Sequence, residues 1–178
     1  MLESVYQSIF RPRSPLLPLS MAGAWALFLV LSVLEGLDLA GTFGAGGAGV
    51  LFLTLGLFAL KVIGWFWLSS AASLFAELMG GEGDGEATMR ALAASVAPAI
   101  LLAPLHALAP RFPRLASLLS FAISLWVLVN MVRAIAQAHR FGRSHATLCL
   151  IGALGMAGLG FAALLFLPIV AIALLLGP

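Results

Sequence analysis

Charge is the scarcest ingredient of this 178-residue chain: only 9% of its residues are charged, and it has one cysteine and one tyrosine. A soluble domain carries about 25% charged and about 45–50% apolar residues. Here 62% are apolar and the mean hydropathy is +1.13. Those values exclude a water-soluble globular fold and a disordered chain. A net charge of +2 is too small to hold a nucleic acid. Cys149, standing alone, forms no internal disulfide. Catalytic patterns are missing as well. There is no phosphate loop ending in Gly-Lys-Ser/Thr, no dinucleotide glycine pattern, no His-Glu-x-x-His, and no Gly-x-Ser-x-Gly around Ser144. The reading is a non-enzymatic protein with no cofactor and no metal.

What is present is long apolar sequence cut by few charges. No Asp, Glu, Lys or Arg occurs in 14–34, 39–60, 91–110, 115–132 or 144–178, and a shorter gap, 62–76, follows Lys61. A helix needs about 20 apolar residues to cross a bilayer. Five spans follow, at 19–39, 50–76, 91–109, 115–136 and 147–176. The runs are continuous and do not alternate, which argues against a membrane barrel. The expected fold is all-α: a polytopic membrane helical bundle of five transmembrane helices. Pro98 and Pro104 predict a kinked third span, and Pro168 is placed to bend the long fifth.

Residues 1–11 place Leu2, Val5, Tyr6, Ile9 and Phe10 at helical spacing, with Glu3, Ser4, Gln7 and Ser8 opposite. This predicts a short amphipathic interfacial helix within a segment 1–18, ahead of the membrane domain 19–178. The start lacks the basic region of a secretory signal. Lys and Arg in short loops set orientation. Arg11, Arg13, Arg90, Arg133, Arg140 and Arg143 fall on one side, and Arg111 and Arg114 on the other. The expected N-terminus is therefore cytoplasmic and the C-terminus outside. Arg outnumbers Lys eight to one, a coding bias that suggests a bacterial source and hence the inner membrane.

Lys61 lies inside the second span, where an unpaired charge costs several kcal/mol. Glu35 and Asp38 stand near the same boundary on the neighbouring span, so a Lys61–Glu35 or Lys61–Asp38 pair is expected. Five glycines in 41–49 predict a flexible hairpin. Glu82, Asp84 and Glu86 alternate as at the start of a calcium loop, but the bidentate Glu that closes such a loop is missing. A solvated flexible loop over 77–90 is expected, sharing one membrane face with Arg140 and Arg143. His145 and Cys149 are four apart and could share a helix face, without the further ligands that zinc requires. Ser69/Ser73, Ala72/Ala76, Ala93/Ala97 and Ala153/Ala157 are pairs of small residues that let helices pack closely.

The middle of the chain resembles the Yip1 family of small membrane proteins, in its bacterial branch. The resemblance rests on the helix Trp67–Ala76 ending in Gly80-Gly-Glu-Gly83, then on Thr88-Met-Arg90 leading to Pro98. Trp126 and His139-Arg-Phe-Gly-Arg-Ser-His-Ala146 complete it. It implies five spans and a cytoplasmic N-terminus. For eukaryotic relatives it implies Rab-type GTPase partners and trafficking, which are not carried over here. The long N-terminal region of those relatives is not seen ahead of the first span. Asp38-Leu-Ala-Gly41 follows that span and does not match their Asp-Leu-x-Gly-Pro motif.

The expected function is that of an interaction scaffold or membrane-organising factor. Its partners would be membrane lipids and other membrane proteins or a second copy of itself, with no nucleic acid. Its recognition face would carry Glu82, Asp84, Glu86, Arg90, His139, Arg140 and Arg143. The alternative is a small transporter or lipid-handling protein working through Lys61.

Overall fold

A computed structural model describes residues 18–176; the expected amphipathic helix at 1–11 lies outside the described residues. The described residues fold into five helical segments. The first two are α1, Met21–Phe43, and α2, Gly47–Leu78. The third is broken into α3, Gly85–Ser95, a 3-10 turn, Ala97–Leu101, and α4, Leu102–Leu108. The fourth and fifth are α5, Pro113–His139, and α6, Arg143–Leu176. No strand occurs among the described residues. Among them, four segments are long and apolar enough to cross a membrane: Met21–Phe43, Gly47–Leu78, Gly85–Leu108 and Pro113–His139. The fifth, α6, runs for 34 residues, about 51 Å at 1.5 Å per residue.

The helices extend beyond the charge-free runs because local caps, not hydropathy, decide where they end. The Ser20 hydroxyl accepts from Gly23 N–H at 3.1 Å and opens α1. Pro113 opens α5, where its missing N–H costs nothing. The expected glycine hairpin of 41–49 is shorter than its composition suggests. Gly41 ends inside α1 and Gly47 and Gly49 begin α2, so only residues 44–46 turn, with Gly44 at φ 64°. The third segment breaks where proline was expected to kink it. Pro98 has no N–H to donate and its ring crowds the preceding turn. The backbone tightens instead, with Ala99 N–H bonded to Val96 O at 2.9 Å.

The core is rich in small residues. Ala72, Ala76, Ala93, Ala97 and Ala153 are buried, as are Ser69 and Ser73, so three of the expected close-packing pairs lie in the core, while of Ala153/Ala157 only Ala153 is buried. Larger side chains join α1 to α2, where Trp65 stacks obliquely on Phe28 at 5.2 Å and edge-on to Trp25 at 6.5 Å. At the same interface Gly36 leaves room for the backbone of Thr54. The large aliphatic and aromatic side chains point outward instead: Phe52 is 79% exposed and Phe121 70%. An exterior of this kind suits acyl chains and not water. The third segment sits between α1, α2 and α5, and α6 packs on α2 and α5.

Candidate functional site

Among the described residues, two polar clusters stand out in this apolar bundle, one in its middle and one at the end where α2 meets α3 and α5 meets α6. In the middle, Lys61 is 14 residues into α2, about 21 Å along its axis. Its Nζ lies 2.8 Å from both Glu35 oxygens. Of the two expected partners, Glu35 is the one engaged. Asp38, one turn further along α1, faces His106 of α4, with 3.1 Å between Oδ2 and Nδ1. His106 was not singled out in the sequence. The available signal was a titratable residue two positions after Pro104 within an apolar span.

Beside the ion pair, a cavity of about 250 Å³ lies between α1, α2, the third segment and α5. Phe28, Leu31, Trp65, Leu92 and Met131 form apolar walls, and Lys61 and Glu35 supply the polar end.

At the bundle end, two loops are latched together. The α2–α3 loop is not the free loop expected over 77–90. Helix occupies residues up to Leu78 and again from Gly85, and the six residues between are held from both sides. Asp84 is a helix cap, accepting from Ala87 N–H at 2.6 Å, and Glu86 lies in the first turn of α3. Thr88 donates its hydroxyl proton to Asp84 O at 2.9 Å. It must then accept at its second contact, His139 Nε2 at 2.8 Å, which assigns the Nε2–H tautomer. In the neutral ring His139 Nδ1 then carries a lone pair, and it is buried with no hydrogen-bond partner among the described residues. His139, expected on the recognition face, is in fact only 1% exposed, with its ring stacked on Phe141 at 5.5 Å.

The glycines of the Gly80-Gly-Glu-Gly83 run make this latch possible. Gly80 has φ 82°, which side-chain-bearing residues rarely adopt. A Cβ on Gly81 would strike the Phe141 ring, and one on Gly83 would strike Ala138 O and crowd His139 Nδ1. Glu82 N–H reaches His139 O at 3.4 Å, and the Glu82 carboxylate lies 3.6 Å from Arg140. Two further bonds brace the end. Trp65 Nε1–H donates to Met89 O at 2.9 Å, and Arg90 Nε–H donates to Leu19 O at 3.0 Å.

Arg90 also stands 3.6 Å from Glu86, so it serves as a strut while part of its guanidinium faces outward. Arg140 is 80% exposed on its side chain and holds φ 57°, the one positive φ outside glycine among the described residues. Arg143 is exposed at the start of α6. His145 is exposed, but Cys149 is buried with Sγ 3.4 Å from Met79 Sδ, so the two do not converge.

These features define a class: an integral membrane protein of apolar helices, with a Lys61–Glu35 ion pair inside its spans and a latched end. The chain matches the Yip1 domain over residues 3–166, nearly its full length, and it belongs to the Yip1 family. No curated protein and no solved structure matches it. The match reaches further toward the N-terminus than the stretch of resemblance. Of the residues that carried that resemblance, Gly80–Gly83, Thr88 and His139–Phe141 meet in the latch.

Proposed function

We propose that this protein is a non-enzymatic, five-span scaffold of the bacterial inner membrane, with its N-terminus in the cytoplasm. The latched end is its cytoplasmic recognition face, presenting Glu82, Glu86, Arg90, Arg140 and Arg143 to the charged loops of other membrane proteins. The fifth span is α6, which carries no charge after Arg143. The orientation rests on the excess of Arg on the latched side.

The observation that carries the reading is Arg140. Helices commonly end on glycine in the left-handed region because any Cβ there is strained. This chain keeps an arginine at that position, with its guanidinium held outward and its salt bridge exposed and weak. Strain retained at one exposed side chain, on a loop fixed by the Thr88–His139 contact, suits a preorganised contact residue.

The test is purification from native membranes in nanodiscs, followed by mass spectrometry of co-isolated proteins. The reading expects a stoichiometric membrane-protein partner that is lost from the triple variant Glu82→Gln, Arg90→Gln, Arg140→Gln. A protein that comes alone, or a partner that the triple variant retains, would contradict it.

A further inference from the structure

We infer that the cavity beside Lys61 binds a neutral single-chain amphiphile, with its polar end at the Lys61–Glu35 pair and its chain along Trp65 toward Leu92. This goes beyond the scaffold reading and does not depend on it. The cavity of about 250 Å³ is apolar along its length and polar at one end only. That is the build of a small-molecule site: apolar walls with a few placed polar groups. Apolar cavities of about 150 Å³ stay dry and take up benzene, so this one suits a chain of roughly eight to ten carbons.

The charge at the polar end selects the head group. Lys61 and Glu35 neutralise each other, with Nζ 2.8 Å from both carboxylate oxygens. An anionic head would compete with Glu35 for the ammonium and strand the carboxylate in an apolar setting; a cationic head would strand Lys61. A hydroxyl has neither cost. It accepts from a free Lys61 N–H and donates to a Glu35 lone pair while the pair stays intact. Entry from the side is open, because α2 and α5, which line the cavity with Gly64 and Met131, touch only lightly. A Cβ on Gly64 would meet no atom within 4 Å, so that wall has space to spare.

Trp65 reports occupancy directly. The experiment uses the full chain in nanodiscs with Trp25, Trp67 and Trp126 replaced by Phe, titrated with 8-bromooctan-1-ol, whose bromine quenches tryptophan on contact. The expected result is saturable quenching of Trp65. Gly64→Leu, which fills the cavity, should abolish the saturable part, and the double variant Lys61→Met, Glu35→Gln should weaken it severalfold. Ala99→Leu narrows the opposite wall and gives the same loss should Gly64→Leu fail to fold, with helicity by circular dichroism as the check. Two results overturn the inference. One is quenching that rises linearly and equally in parent and filled variants, as simple partition into the bilayer would produce. The other is tighter binding of 8-bromooctanoic acid than of the alcohol.

Discussion

Arg140 and Lys61 are the two side chains whose surroundings conflict most with local preference, and each yields a prediction. Replacing Arg140 by Gly removes the strain of a left-handed non-glycine residue. It should stabilise the fold by about 1 kcal/mol while weakening partner binding. Thermal unfolding in detergent and co-isolation from membranes, run on the same variant, check both halves; unchanged partner recovery would separate Arg140 from recognition. Lys61→Met and Glu35→Gln each leave one charge unpaired within apolar sequence and should each lower the unfolding temperature. The double variant should recover much of the loss, with a coupling of about 1–3 kcal/mol in a double-mutant cycle. A coupling near zero would mean that the 2.8 Å contact contributes nothing to stability. An intramembrane partner for Lys61 was readable from the sequence, but its identity was not. Glu35 and Asp38 lie within one turn of each other, and the choice depends on His106, contributed by a helix 68 positions beyond Asp38, which takes Asp38 for itself.

At the scale of elements, the latch is the feature that local sequence rules could not supply. Thr88 and His139 are 51 residues apart, and their contact exists only because α3 and α5 pack side by side. The glycine run read as a flexible loop, since glycine frees the backbone. In the fold the same residues are required for the opposite purpose, the close approach of Gly81 to Phe141 and of Gly83 to Ala138. Gly83→Ala should therefore push the α2–α3 loop off the end of α5. The expected cost is about 1–3 kcal/mol, visible as a lower unfolding temperature and as faster amide exchange across residues 80–84. Exchange at the parent rate would show that the loop is not held. The helical segments themselves were legible, because runs without charge mark what a bilayer can contain. Their ends were not, since Ser20, Gly44 and Asp84 set them through single hydrogen bonds or one backbone angle. The break at Pro98 was legible, because the ring and the missing N–H act wherever proline stands.

For the whole molecule, an exterior of large apolar side chains and an interior rich in alanine and serine make a bundle that packs largely by close approach of backbones. Such a bundle has few polar places among its described residues; in the proposed roles the Lys61–Glu35 pair holds the bundle together and seats the head of an amphiphile, and the latched end recognises partners. The proposed orientation can be mapped by single cysteines in a Cys149→Ala background. Gly46→Cys and Phe112→Cys should react with a membrane-impermeant maleimide on intact cells, and Gly142→Cys only after permeabilisation; the reverse pattern would invert the topology. The claim that matters most is that the latched end touches another protein. Photo-crosslinking in living cells tests it most directly, with a photoreactive amino acid placed at position 82 or 140 and, as the control, at 112. The account predicts a discrete protein adduct of one mass from 82 and 140 and none from 112. No adduct from the latched end, or the same adducts from all three positions, would contradict it.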